Sequence, residues 1–379
     1  MAPTAPITKK DLGNVVVIGG CGFLGHHVVN QLVESYTCKV SVVDIRTTRN
    51  RRPESDGVKY FDGDMTSLDS LRSIFEQVKP TVVIHTASPL AVAETPPAFL
   101  HKVNVQGTKC VIEACRETGV KALVYTSSAS VISDSVHDLI NADERWPVLR
   151  GKDQTDYYAE TKAEAEEAVL AANRTGPSNL LTACIRPAGI FGEGDVQLVP
   201  PMMDLLFTGK TNFQVGHNTN LFDFTYVGNV AHAHLLAAHL LSTSKLSIAP
   251  LDHEKVDGEA FIVTNDAPIY FWDFPRNLWA LAGSKEGTER VWTITKEVGI
   301  PLAAVAENLL PLIGRQSKLT RRSIRFSCMT RYYNIGKAKQ RLGYRPIVSM
   351  KEGTERAVKS ILASRGRGDK GWWEEKKKN

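Results

Sequence analysis

The sequence predicts an α/β protein built on a doubly wound, parallel sheet with a smaller C-terminal lobe, and three observations predict it. A β-branched run, VVVI at residues 15–18, ends in a cluster of glycines and is followed by a helical pattern. Short apolar strands and amphipathic helices then alternate as far as residue 126, which builds a parallel sheet whose ligands bind at the carboxyl ends of its strands. After about residue 190 the alternation weakens, and Gly, Pro and loop signals rise in GEGDVQLVPP and LSIAPLDHEKVDG. Together they point to a Rossmann-type platform with an interleaved second lobe.

Taken in order, residues 23–35 put Phe23, Leu24, Val28, Val29 and Leu32 at helical spacing directly behind the first strand. Residues 39–44 read as a strand, 68–77 as a helix, 81–86 as a strand, 104–118 as a helix and 122–126 as a strand. Residues 1–190 are therefore expected to form mainly the nucleotide-binding domain, and 191–362 mainly a substrate lobe interleaved with the sheet. Residues 363–379 read as a polar tail.

With 42% hydrophobic and 23% charged residues, the 379-residue chain can bury an ordinary core, which excludes wholesale disorder. No apolar run reaches the roughly 20 residues that a spanning helix needs, and the N-terminus lacks the apolar centre of a secretory signal. A cytosolic protein, or one on a membrane face, is expected. The six cysteines form no CxxC pair and have no histidine at zinc spacing, so they read as reduced thiols. A net charge of +5 is too small to argue for nucleic acid, but residues 315–331 carry +6 with no acid.

Gly19, Gly22 and Gly25 form GxxGxxG between a strand and a helix, and Gly20, Gly22 and Gly25 also satisfy GxGxxG. Glycine is needed where the turn and a close-lying pyrophosphate leave no room for Cβ, and the helix start supplies N–H donors. Gly19, Gly20, Cys21, Gly22, Phe23, Leu24 and Gly25 are thus the candidate dinucleotide loop. Asp44 closes the second strand 19 residues after Gly25, the place of a carboxylate that accepts ribose hydroxyls. It would repel a 2′-phosphate and favours NAD, although Arg46, Arg49, Arg51 and Arg52 follow and could accept NADP.

Tyr158 and Lys162 make YxxxK in a segment of strongly helical composition, where i, i+4 spacing puts both on one face. A phenol with an ordinary pKa of ~10 is a poor base near neutrality unless a fixed cation stabilises the phenolate. Lys162 is the candidate cation. Ser128, at the end of the 122–126 strand, can hold the substrate oxygen. Tyr157 is adjacent, but Thr161 stands four residues beyond it, so Tyr158 has the lysine in register.

At these residues the chain resembles the extended short-chain dehydrogenase/reductase family, over roughly 14–362. The family's glycine loop usually opens with threonine, and here Ile18 takes that place. The resemblance implies that Asp64 and Met65 contact the adenine, that Thr86, Ala87 and Ser88 run past the cofactor, and that Asn104 is a structural asparagine. It also implies that Ser128, Tyr158 and Lys162 are the active triad and that Pro187, Ala188, Gly189 and Ile190 lie against the nicotinamide. FDFTYVGNVAHAHLLAA (222–238), GEAFIVTNDAPIYFWDF (258–274) and RYYNIGKAKQRLGYRP (331–346) are similar to the 3β-hydroxysteroid dehydrogenase branch.

That branch implies oxidation of the 3β-hydroxyl of a 4α-carboxysterol and loss of CO2 from the resulting β-keto acid. A hydroxysteroid dehydrogenase/isomerase, a dehydrogenase of another triterpenoid, or a dinucleotide-sensing protein without turnover are the competing readings. The intact Ser128, Tyr158 and Lys162 count against the last. His232 and His234 read as lining a helix beside the sheet, not as metal ligands. The expected partners are a sterol substrate, other sterol-demethylating enzymes and a second copy in a dimer.

Residues 298–313 place Val298, Leu302, Val305, Leu309 and Leu312 at helical spacing just before the basic run 315–331. Such a stripe either lies in a membrane interface, or covers the substrate pocket or packs on the core. The terminal KKKN fits a dilysine pattern, so the expected location is the cytosolic face of the endoplasmic reticulum, with the cytoplasm as the alternative.

Overall fold

A computed structural model describes residues 9–90, 95–245, 250–310 and 320–366. The first half runs β1 (Lys10–Ile18), α1 (Phe23–Ser35), β2 (Tyr36–Asp44), β3 (Lys59–Asp62), α2 (Leu68–Val78), β4 (Val82–His85), α3 (Pro97–Leu100), α4 (Thr108–Glu117) and β5 (Ala122–Thr126). It continues through β6 (Leu139–Ala142), α5 (Tyr157–Ala171), β7 (Leu181–Pro187) and β8 (Gly189–Phe191). The second half runs α6 (Val199–Phe207), β9 (Phe213–Val215), β10 (Leu221–Phe222), β11 (Phe224–Tyr226), α7 (Val227–Thr243), β12 (Glu259–Val263), β13 (Ile269–Tyr270) and α8 (Asp273–Leu281). Then come β14 (Trp292–Ile294), α9 (Lys296–Leu309), α10 (Arg321–Cys328), β15 (Arg331–Tyr333) and α11 (Met350–Gly366).

Seven strands form one parallel sheet in the order β12-β7-β5-β4-β1-β2-β3. The chain order reverses at β1, which lies between β2 and β4, so the crevice opens beyond the carboxyl ends of β1 and β4. The VVVI run is apolar throughout because both its faces are buried. Val15 and Val17 join one core layer with Val28 and Leu32, whereas Val16 and Ile18 join the other with Phe75 and Val111. Helices α1 and α7 cover the first face; α2, α4 and α5 cover the second.

Three boundaries differ from the sequence reading. The first two strands begin at Lys10 and Tyr36, because a bulged register pairs polar residues that carry no strand-like pattern. The expected helix 104–118 is instead a wide π-type turn over His101–Gly107 followed by α4. After residue 190 the chain returns to the first sheet: α7 packs beside β5 and β7, and β12 pairs with β7, setting Phe261 opposite Ile185. A second sheet, β13-β10-β15-β6, brings residues 139–142 from the first half beside Arg331 from the second.

In α9, Val298, Leu302, Val305 and Leu309 are 53–56% exposed, and the buried residues are Gly299 and Ala303. The apolar stripe is therefore not core; Gly299 is small enough to let α9 approach Ile324 of α10. Leu312, Arg315, Lys318 and the tail from residue 367 lie outside the described residues. The basic run is not unopposed. Arg321 pairs with Glu307, 14 residues before it, at 2.6 Å, and Arg322 with Asp156, 166 residues before it, at 2.6 Å. Among the described residues no helix is long and apolar enough to cross a membrane.

Candidate active site

The glycine loop is built by exclusion of side chains. A Cβ on Gly25 would stand 2.0 Å from the Gly19 carbonyl oxygen, and one on Gly20 would meet Val42 at 2.7 Å. Gly19, at φ +80°, has Ala87 2.7 Å from where its Cβ would be, so β1 and the Thr86–Ser88 segment can pass closely only over glycine. Thr86 N and Oγ1 both donate to the Ile18 carbonyl, each at 2.9 Å, which ties that segment to the loop. No side chain caps the start of α1, leaving the loop N–H groups to an anion.

Asp44 ends β2 nearly buried. Its Oδ2 accepts from Cys21 N at 3.1 Å and its Oδ1 from Arg46 N at 3.3 Å, so the carboxylate is fixed at the mouth of the loop. Of the four arginines beyond it, Arg52 is held by Asp56 and Glu34, and the Arg51 guanidinium lies 4.4 Å from the Tyr60 ring centroid. Arg46 and Arg49 are exposed. Asp64 is occupied in a local turn, accepting from Thr66 N and Oγ1 at 2.8 Å, while Met65 packs against Gly107.

Asp156 caps α5 by accepting from Tyr158 N at 3.1 Å, which starts the helix one residue before Tyr158. Lys162 follows one turn later, fully buried. Its Nζ donates to the Thr126 carbonyl at 2.7 Å and to Tyr125 Oη at 3.2 Å, so the ammonium is turned toward the end of β5 instead of onto Tyr158. Burial pushes its pKa down to about 7, against smaller upward pulls from Cys184 and Glu166. The Tyr158 phenol is pushed up to about 12 by burial, with the Ser88 hydroxyl drawing it partly back. At neutral pH the free site therefore holds a protonated phenol beside a lysine that gives up its proton easily.

Ser88 Oγ donates to Asn104 Oδ1 at 2.9 Å, Asn104 Nδ2 donates to Thr161 Oγ1 at 3.0 Å, and Thr161 Oγ1 donates to the Tyr158 carbonyl at 2.8 Å. The π-type turn presents Asn104 to this chain, so β4, the turn and α5 are locked together around Tyr158. Ser128 sits past β5 with its Oγ donating to Ser130 Oγ at 2.9 Å and accepting from Ser130 N at 3.1 Å. Pro187 ends β7, Ala188 N donates to the Val263 carbonyl, and Gly189 and Ile190 pair with Phe224 and Thr225, which fixes that segment across the crevice. Tyr157 is 43% exposed and lines the same cleft as Tyr158.

Tyr158 lines a cleft of about 500 Å³ with Leu100, Ser135, Glu307, Arg321 and Arg325. The contribution of α9 and α10 to this wall had no local signal, since they lie about 150 residues from Tyr158 in sequence. His234 is a buried structural residue: its Nδ1 lies 2.8 Å from the Val230 carbonyl, so Nε2 accepts from Thr126 Oγ1 at 2.7 Å. Among the described residues no group of three His, Cys, Asp or Glu side chains is placed to hold a metal. All six cysteines are unpaired.

Comparison with known proteins places this arrangement. The chain is 39% identical over 353 residues to the Saccharomyces cerevisiae sterol-4-alpha-carboxylate 3-dehydrogenase, decarboxylating, covering 92% of this chain and 97% of that protein. The Schizosaccharomyces pombe protein of the same name is 41% identical over 91% of this chain and 96% of its own, and the Mus musculus one 40% over 91% and 90%. Among solved structures, the Thermotoga maritima UDP-glucose 4-epimerase matches with a TM-score of 0.67 at 21% identity, over 93% of this chain and 99% of that one. The Bacillus anthracis dTDP-glucose 4,6-dehydratase, solved with NAD, also matches at 0.67, at 18% identity over 93% and 97%. These two likenesses bear on the fold. The sequence profile of the 3-beta hydroxysteroid dehydrogenase/isomerase family matches residues 16–293. With this profile spanning most of the chain and close relatives covering nearly all of it, the chain belongs to the 3-beta hydroxysteroid dehydrogenase/isomerase family.

Proposed function

We propose that the protein oxidises the 3β-hydroxyl of a 4α-carboxysterol with NAD and that the product loses its carboxyl as CO2. The observation that carries this reading is Tyr158: it lies beside Ser88, one helical turn from Lys162, at the wall of a cleft open to a substrate. The residues present fit the cofactor, with a loop that admits no Cβ at Gly25 and a fixed carboxylate at Asp44. Bound NAD supplies the acceptor for the hydride that leaves C3. Tyr158 takes the hydroxyl proton, and a Lys162 ammonium drawn from Thr126 toward the phenol stabilises the phenolate. Ser128 and Tyr158 then face the new C3 oxygen. When the bond from C4 to the carboxyl breaks, its electron pair moves into the C3 ketone and the enolate oxygen takes hydrogen bonds from these two groups. The relatives named above share the activity in name. The test is a substrate carrying deuterium at C3: the label is expected in the reduced cofactor, and its recovery in water or in the sterol product would overturn the reading.

The exposed stripe on α9 supports peripheral contact with a membrane in which the sterol resides. Trp292 is 71% exposed two residues before Ile294 closes the strand that leads into α9, and aromatic residues suit such an interface. The cytosolic face of the endoplasmic reticulum is the proposed location.

A further inference from the structure

Arg331 opens β15 in the second sheet, 201 residues from Ser130, to whose Oγ its Nη2 donates at 3.4 Å. Its Nε donates to Tyr333 Oη at 2.6 Å, and the guanidinium stands 6.0 Å from that ring's centroid. Ser130 Oγ is also the acceptor of the Ser128 hydroxyl. The guanidinium is thus a single hydroxyl away from Ser128. It is half-buried, and among the described residues no carboxylate lies within ion-pair distance of it. The buried acid Asp223, in this sheet region, accepts from Tyr333 N instead. Arg321 and Arg322 have acids of their own, and so does the buried Arg186, which is paired with Glu166. A half-buried cation held only by neutral hydroxyls has lost part of its hydration with no charge to offset it.

The substrate supplies that charge. The 3β-hydroxyl and the 4α-carboxyl sit on neighbouring ring carbons, so a sterol whose 3-oxygen is held by Ser128 and Tyr158 carries its carboxylate within one or two hydrogen-bond lengths of that point. We propose that Arg331, steered by Ser130 and Tyr333, receives the 4α-carboxylate and thereby selects carboxylated sterols. This rests on the function proposed above. A planar guanidinium matches a carboxylate with two parallel hydrogen bonds. Once the C4 bond breaks and CO2 leaves, the anion is gone, and the neutral ketone product has nothing to hold it at Arg331. The residue discriminates substrate from product.

The experiment compares binding of a 4α-carboxysterol and its carboxamide, nearly the same shape without the charge, by fluorescence titration of the NAD-loaded protein, alongside oxidation of the acid. The wild type is expected to prefer the acid. Losing a charged hydrogen-bond partner should cut that preference about ten- to hundredfold in Arg331→Gln, whose amide nitrogen takes the place of Nε and can still bond Tyr333. Arg331→Lys should restore part of it. A melting curve for each variant checks that the fold is intact. An Arg331→Gln variant that folds and keeps the wild-type preference would overturn the assignment, as would a loss that appears in Arg325→Gln, on the outer wall of the cleft, and not at Arg331. If the wild type oxidises the acid while Arg331→Gln is unchanged, only this inference fails. If the wild type neither binds nor oxidises the acid, the functional reading falls as well.

Discussion

Replacing Asp44 should change which cofactor the protein prefers, and the structure sets the size of the effect. The carboxylate already accepts from Cys21 N and Arg46 N. A carboxylate offers about four lone-pair positions, so about two remain for ribose hydroxyls. A hydrogen bond to a charged acceptor contributes about 1.5–3 kcal/mol. Losing one or both in Asp44→Ala should weaken NAD by at least about tenfold, and by more than a hundredfold if both count. NADP behaves differently, because its 2′-phosphate meets the same carboxylate as a like charge. Removing that charge relieves a repulsion of up to about 4 kcal/mol at 4 Å near a protein surface, and the exposed Arg46 is left beside the vacated position. The ratio of NAD to NADP affinity should therefore fall by at least about tenfold. Asp44→Asn retains one acceptor for the loop and serves as the variant that keeps the turn. Titration of both cofactors against both variants, with melting curves as the check on folding, is the assay. Equal losses for NAD and NADP in a folded variant would remove Asp44 from the ribose site.

Other outcomes follow from the same geometry. Tyr158→Phe should abolish turnover while NAD still binds; activity retained within about tenfold, or ~1.4 kcal/mol of barrier, would remove Tyr158 from its role. With the phenol pushed up to about 12 and Lys162 down to about 7, alcohol oxidation should accelerate as pH rises from 6 toward 7, while the ammonium persists, and a flat profile for the chemical step over that range would contradict this. Lys162 has a folded pKa of about 7 against an ordinary 10.5, so the unfolded chain binds more protons between those values. Its contribution to stability therefore improves as pH rises from about 7 to 9, and denaturant titrations should show Lys162→Met with a weaker rise than the wild type. Gly25→Ala must displace the Gly19 carbonyl and should lower both melting temperature and NAD affinity, whereas Gly22→Ala, with one 3.0 Å contact, should do so less. Binding to anionic vesicles should be salt-sensitive and weakened by Leu302→Glu with Val305→Glu, two exposed positions away from Tyr158; wild type that does not co-sediment at low salt would remove the membrane contact.

What could be read in the sequence was what local spacing encodes. The glycine loop, Asp44 and the Tyr158–Lys162 pair each express a turn, a strand end or a helix face, all set within about 20 residues. The direction of the Lys162 ammonium was not readable, because Thr126 and Tyr125 meet it only through the packing of α5 on β5. The same holds for Asp156 with Arg322, 166 residues apart, which made the basic run look unopposed. The wide turn at Asn104 was hidden because HKVNVQG has the composition of an ordinary helix. The apolar stripe on α9 gave its periodicity but not its direction, and the small residues Gly299 and Ala303 decide that it faces outward.

The proposed reaction places oxidation of C3 and release of the C4 carboxyl in one site. Its most direct test is to mix the purified protein with NAD and a 4α-carboxysterol labelled in the carboxyl carbon, following reduced cofactor by absorbance and trapped CO2 by label. One CO2 is expected for each NADH formed, and neither in Tyr158→Phe. Cofactor reduction without CO2, or CO2 without cofactor reduction, would contradict it.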